Sequence, residues 1–138
     1  MNATGFDKWI QLFDGTSPEH WKISENPESW SLKDSALIAH GKRSHIFYVG
    51  SDTPFVNFEL KAEVFTERGS NGGIYFLTHY QEAGWPESGF EAQLNNSYFI
   101  DPKKTGSLYG IDNVWFFSPA KDNRWFTYTI QVNGSQIT

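Results

Sequence analysis

Residues 56–65 have the sequence Val-Asn-Phe-Glu-Leu-Lys-Ala-Glu-Val-Phe. Apolar residues occupy every second position from Phe58 to Val64, and polar residues fill the positions between them. In an extended chain this alternation places the two sets of side chains on opposite faces. The stretch therefore predicts a β-strand with one face in the protein core and the other face in water.

The same pattern recurs elsewhere in the chain. Residues 126–132 and 90–95 alternate apolar with polar side chains, and residues 73–78 predict a further strand. The segments between contain turn residues, and Asn133-Gly134 is a strong hairpin signal. No stretch keeps helical spacing over several turns. Short strands separated by turns predict an all-β fold, in which two antiparallel sheets pack as a sandwich or barrel.

The composition narrows the classes of function. The chain has 138 residues, which fits one domain, and it has no cysteine for disulfides or thiolate metal sites. Its formal net charge of −5, without charged runs, argues against nucleic acid and anionic membranes as partners. No apolar run is long enough to span a bilayer. The aromatic content of 17% favours a carbohydrate ligand, although aromatic residues also fill β cores.

Seven short motifs follow one another along the chain. They are Leu-Phe-Asp-Gly-Thr from Leu12, Trp-Ser-Leu-Lys-Asp-Ser-Ala-Leu from Trp30, Phe-Glu-Leu-Lys-Ala-Glu-Val from Phe58, Asn-Gly-Gly-Ile-Tyr-Phe from Asn71, Phe-Glu-Ala-Gln-Leu-Asn-Asn from Phe90, Gly-Ser-Leu-Tyr-Gly from Gly106 and Trp-Phe-Thr-Tyr from Trp125. Each motif is weak alone, but the ordered set resembles the 3-keto-disaccharide hydrolase family.

This resemblance implies a concanavalin A-like jelly roll that acts on sugars whose C3 hydroxyl has been oxidised to a ketone. It implies a single jelly-roll domain over residues 1–138, with its final strands beyond Thr138. It also implies a periplasmic or extracellular location, because members of the family are commonly exported. Residues 1–5 themselves lack the charged and apolar regions of a signal peptide.

Strand alternation predicts one polar groove for a sugar. Glu91, Gln93 and Asn95 share a face of their strand, and Asn71, Tyr75 and His79 share a face of the strand before it. If these two strands are neighbours, a carboxylate, amides, a phenol and an imidazole converge. The residues predicted to bind the substrate are Asn71, Tyr75, Gln93, Asn95, Asn96 and Tyr109.

Glu91 and His79 are the predicted catalytic residues. A ketone at C3 acidifies the proton on C2, so the reaction needs a general base, and Glu91 is the best-placed carboxylate. His79 is the candidate acid because an imidazole titrates near neutral pH. Each side chain also has an ordinary structural explanation: Glu91 as a solvated carboxylate on a sheet and His79 as a surface residue.

Two departures from the family pattern leave alternatives open. Leu77 stands where the family has an arginine, and Asn96 stands where it has an aspartate. Both changes remove charge, which favours a second hypothesis, a non-catalytic carbohydrate-binding module. A third is a structural domain of a larger polysaccharide-processing protein. The sequence contains no cofactor motif and no residue spacing typical of a metal site. A divalent metal site that includes ligands beyond Thr138 stays an open alternative.

Overall fold

The computed structural model describes residues 8–138, so the predicted absence of a signal peptide at residues 1–5 lies outside the described residues. Residue contacts group the chain into two compact units. The described part of the first unit comprises residues 8–54 and 79–87, and the second comprises residues 55–78 and 88–138. That residues 1–138 form a single domain stays a prediction.

The first unit contains four short strands and one 3₁₀ turn, Pro27–Ser29. Strand β1 (Trp21–Ile23) pairs antiparallel with β4 (Ile46–Tyr48), and β2 (Trp30–Lys33) pairs antiparallel with β3 (Ala36–Ala39). Asp34 and Ser35 connect β2 to β3 with φ values of +51° and +59°. Two consecutive residues with positive φ are characteristic of the tight turn that joins hairpin strands.

The second unit contains two antiparallel sheets. One has the order β5 (Phe58–Phe65), β8 (Trp125–Asn133) and β9 (Gln136–Ile137), and the other pairs β6 (Gly72–Phe76) with β7 (Phe90–Leu94). The predicted hairpin at Asn133-Gly134 is the connection between β8 and β9. Across the described residues all regular pairing is antiparallel and no α-helix is present, which confirms the predicted all-β fold class.

Both sheets of the second unit contribute to its core. Phe76 and Ala92 come from β6 and β7, and Tyr128, Ile130 and Val132 come from β8. Burying an apolar side chain of this size stabilises the fold by about 1.5–3 kcal/mol. The opposite face of the β5–β8 pair carries the polar residues of the alternation, with the exposed rings of Phe65 and Trp125 packed together at one end. The β6–β7 sheet likewise has one face in this core and a second, polar face.

Strand β6 ends earlier than its sequence predicts. It stops at Phe76 because Leu77 has φ +54°, which is incompatible with an extended strand. Gly89 lies against this bend, and a Cβ there would come within 2.7 Å of the Leu77 carbonyl carbon. The predicted alternation therefore does not extend to Leu77 and His79. The face shared by Gly73 and Tyr75 is retained.

Candidate active site

Glu91 and Tyr75 form the centre of the polar face of the β6–β7 sheet. They are directly opposite each other in the antiparallel register. The Tyr75 hydroxyl donates a hydrogen bond of 2.8 Å to Glu91 Oε2, and both side chains are half-buried. The structure thus joins the predicted base to one of the predicted sugar-binding residues.

Gly73 makes room for the Glu91 side chain. Gly73 is exposed, and it lies opposite Gln93, two pairs along the ladder from Tyr75 and Glu91. A Cβ at Gly73 would approach Glu91 Cγ to 2.6 Å and Cδ to 2.9 Å. The carboxylate therefore lies flat across the glycine, whereas the space around the neighbouring Gly72 is open. Glycine in a strand interior commonly marks such a close approach.

Gln93 and Asn71 bring two amide groups to the same face. Their side-chain amides are 2.9 Å apart. With its nitrogen directed towards β6, the Gln93 amide donates to Gly72 O at 2.8 Å and to Glu91 Oε1 at 3.2 Å. This orientation is favoured because the reverse would place the Gln93 oxygen against two other oxygens. The Asn71 amide is then turned as well, so that its nitrogen donates to the Gln93 oxygen. Both carboxylate oxygens of Glu91 then accept a hydrogen bond.

Burial sets the proton affinity of this pair. Partial burial raises the pKa of Glu91, the Tyr75 hydrogen bond lowers it, and the negative charge of Asp101 raises it, with a net increase. The pKa of Tyr75 is also raised, first by burial and then by its bond to Glu91. A carboxylate with a raised pKa is a stronger base, and Tyr75 stays protonated as a donor at neutral pH.

A second polar group lies beside Glu91. The Tyr109 backbone N–H donates to Glu91 O at 2.9 Å, and the Tyr109 hydroxyl donates to Asp101 Oδ2 at 2.8 Å. The Lys103 ammonium lies 4.3 Å from the centre of the Tyr109 ring and 4.0 Å from Asp101 Oδ1. The hydrogen bond to Asp101 raises the pKa of Tyr109, and Lys103 partly opposes this.

Asp101 and Lys103 are the residues that the sequence analysis did not identify. They lie outside the named strands, where alternation does not predict which way a side chain points. Asp101 precedes Pro102, a sequence typical of a turn, and the Asp101 carboxylate accepts a hydrogen bond from the Lys103 backbone N–H at 2.9 Å. Tyr109 was identified from its aromatic ring alone.

Asn95 is placed in the interior instead of in the groove. Its side chain is 0% exposed, and its Nδ2 donates to the backbone oxygens of Tyr98, Asp101 and Lys103 at 3.0–3.3 Å. Its Oδ1 accepts from the Tyr98 N–H and the Lys104 ammonium. Asn95 thus holds the loop that carries Asp101 and Lys103, and its amide is not presented to a ligand.

Asn96 belongs to a second polar network. Its Nδ2 donates to Thr66 Oγ1, and its Oδ1 accepts from Thr105 Oγ1 and Ser118 Oγ. Asn96 also borders a cavity of about 300 Å³, whose lining residues are Asn96, Ser97, Phe99, Pro102, Lys104 and Phe116. The contacts within the protein account for most of the hydrogen-bonding capacity of its amide.

His79 lies in the first unit and is exposed. Its predicted role as an acid stays a prediction. Within residues 8–138, no group of three or more His, Asp or Glu side chains is arranged to hold a metal ion. The same residues contain no helix that is long and apolar enough to cross a membrane.

The comparisons with known proteins agree with the motifs. Among curated proteins, no match was found. The sequence matches the family model described as the 3-keto-alpha-glucoside-1,2-lyase-like domain over residues 8–138. This match covers nearly the whole chain and confirms the resemblance drawn from the seven motifs. The chain therefore belongs to the 3-keto-alpha-glucoside-1,2-lyase-like domain family.

Proposed function

We propose that this protein cleaves the glycosidic bond of 3-keto sugars, with Glu91 as the general base. The observation that carries the proposal is the Glu91–Tyr75 pair, a half-buried carboxylate of raised pKa on a polar sheet face. Membership of the family supplies the substrate class. The exposed backbone of Gly72 and Gly73 leaves the carboxylate accessible from one side.

The reaction proceeds in two stages. Glu91 removes the C2 proton, and the electron pair of the C2–H bond forms a C2=C3 double bond while the ketone becomes an enolate. The enolate then restores the C3 ketone, forms a C1=C2 double bond and expels the C1 oxygen with its electron pair. That oxygen takes up a proton. Water addition then gives C1 a hydroxyl and C2 a proton, so the net result is hydrolysis.

The neighbouring side chains have orienting roles in this scheme. Tyr75 and Gln93 each donate a hydrogen bond to one oxygen of the Glu91 carboxylate and fix its orientation. Asn71 is exposed at the end of the same face and is placed to bond sugar hydroxyls. The Tyr109 ring is partly exposed and offers a surface for a sugar ring.

The test compares keto sugars with their unoxidised parents. The protein is incubated with a 3-keto-glucoside and with the parent glucoside, and both turnover and binding are measured. We expect turnover of the keto sugar alone, and a loss of about 1,000-fold in kcat for Glu91→Gln. Glu63→Gln is the matched control, because Glu63 accepts a hydrogen bond from Thr127 on the polar face of β5 and β8. Full activity of Glu91→Gln would remove Glu91 from the role of base.

A carbohydrate-binding module is the second candidate. It is favoured by Leu77, an exposed apolar residue at the position of the family's arginine, and by Asn96, whose amide is occupied within the protein. Binding tolerates such losses of charge better than catalysis does. Tight binding of the unoxidised glycan without turnover would support this candidate over the enzyme.

A further inference from the structure

We propose that Lys103 is a further catalytic residue, whose ammonium binds the C3 oxygen of the substrate and stabilises the enolate. This inference rests on the proposed function, because only a reaction through a C2 carbanion places negative charge on that oxygen. It concerns a residue that the strand pattern did not identify.

The cluster around Glu91 is rich in negative charge. Glu91 and Asp101 are both carboxylates, and the charge of Asp101 raises the pKa of Glu91. An enolate formed beside them adds a further negative charge, which is strongly unfavourable in a partly buried site. A positive group must therefore face the C3 oxygen if the proton transfer is to be fast. Lys103 is the cation that the structure places within this cluster.

The backbone of Lys103 is held firmly. Its N–H donates to Asp101 Oδ1 at 2.9 Å, and its carbonyl accepts from Asn95 Nδ2 at 3.0 Å. Lys103 also forms an antiparallel bridge with Trp115. A catalytic group benefits from such a fixed base, because little freedom is lost when the substrate binds.

The ammonium, in contrast, has no short ion pair in the part of the chain that the structure describes, and its partners there are Asp101 and Tyr109, whose pKa it lowers. It lies 4.0 Å from Asp101 Oδ1, which is the outer limit of an ion pair, and it lies over the Tyr109 ring at 4.3 Å. The side chain of Lys103 is 24% exposed and that of Asp101 is 15% exposed. A long ion pair leaves ammonium protons available for a stronger acceptor, such as the oxygen of an enolate.

Tyr109 connects Lys103 to the base. Its ring contacts the ammonium, and its backbone N–H is bonded to the backbone oxygen of Glu91. Ala92 and Leu108 form an antiparallel bridge, so Tyr109 lies opposite Glu91 and the two side chains share a face of the sheet. When the C2 proton of the sugar faces Glu91, the C3 oxygen is on the adjacent carbon. The group that binds the C3 oxygen must therefore lie beside Glu91.

The experiment uses Lys103→Met, with a 3-keto-glucoside as the substrate. Turnover is followed together with exchange of the C2 proton in D₂O, which reports the enolate step separately from cleavage. We expect kcat and the exchange rate to fall by about 100-fold, while KM changes by less than about threefold. Lys103→Arg should retain activity to within about tenfold of the wild type, because it keeps the charge.

Exposed Lys121 provides the matched control, and Lys121→Met should behave as the wild type. If Lys103→Met does not fold, Lys103→Gln compared with Lys103→Arg tests the same charge. Equal rates for the neutral variant and the wild type would overturn the role of Lys103 while leaving Glu91 as the base. A wild-type protein that neither exchanges the C2 proton nor cleaves the keto sugar would overturn the proposed function, and this inference with it.

Discussion

Glu91 and Asn95 are four residues apart on the polar side of the same segment, but their surroundings differ. Glu91 is half-buried, has a raised pKa and faces exposed glycines. Asn95 is fully buried, and its amide bonds three carbonyl oxygens, a backbone N–H and an ammonium. Both are polar residues in the same alternation. Complete burial, rather than polarity, separates the residue that holds a loop from the residue that is available for chemistry.

Asn95→Ala tests the structural role of the buried residue in this comparison. The substitution removes the hydrogen bonds of the Lys103 carbonyl oxygen and the Tyr98 N–H, and each buried group left unpaired costs about 1–3 kcal/mol. It also removes one of the three oxygens around the Lys104 ammonium, which keeps Tyr98 O and Asp101 O. We expect the free energy of unfolding, measured by urea denaturation, to fall by about 4 kcal/mol. Asn57→Ala is the control, since Asn57 makes an exposed hydrogen bond to Gly134, and it should cost less than about 1 kcal/mol. Equal losses for the two variants would remove the distinction.

Gly73→Ala tests the other residue of this comparison, Glu91, whose carboxylate lies over Gly73. The added methyl group collides with Glu91 and displaces the carboxylate, so we expect turnover of a 3-keto-glucoside to fall by about 100-fold. Gly72→Ala adds the same methyl group in open space and should change turnover by less than about threefold. Steady-state kinetics of the two variants measures the difference. Similar rates would mean that the position of Glu91 over Gly73 has no effect on the reaction.

Tyr75→Phe tests how the hydrogen bond from Tyr75 affects the pKa of Glu91. The Tyr75 hydrogen bond lowers the pKa of Glu91, so its removal raises that pKa further. Because the base must be ionised, the acidic limb of kcat/KM should move to higher pH. The pH dependence of kcat/KM measures this shift. Tyr80→Phe, a change in the first unit, should leave the limb where it is in the wild type.

The smallest expected effect is that of Glu91→Gln on stability. The pKa of Glu91 is higher in the folded protein than in the unfolded chain, so its ionised form opposes folding above the folded-state pKa. Below the unfolded-state pKa, Glu91 is protonated in both the folded and the unfolded protein, and its ionisation no longer opposes folding. Denaturation at several pH values should show Glu91→Gln as the more stable protein at pH 7, by less than about 1 kcal/mol because of solvent screening. The advantage should shrink as the pH falls.

The strands and their polar face could be predicted from the sequence. Alternation in residues 56–65 and 126–132 located β5 and β8 to within a few residues, because one face of each strand is buried in a common core. The same reasoning predicted that Tyr75 would share a face with Glu91 and Gln93 if the two strands were neighbours, and the structure pairs these strands.

The rest of the site depends on contacts that alternation does not describe. Gln93 is only 2% exposed because residues 105–109 run along the free edge of β7, where Ser107 O accepts from the Gln93 N–H. Nothing in the alternation shows that a later segment will cover this end of the face. Asp101 and Lys103 contact Tyr109 from a loop whose shape depends on a buried amide, and a loop has no sequence period from which to predict it.

The Lys104 ammonium has a consequence for how this loop is maintained. It lies buried among the oxygens of Asn95, Tyr98 and Asp101, at 2.7–3.3 Å. Several proteins fill such oxygen-lined hollows with calcium drawn from solution. Here the charge is tethered to the chain by its own carbon stem, so it neither diffuses away nor competes with ions in the medium. The order of this loop should therefore survive dialysis against a chelator.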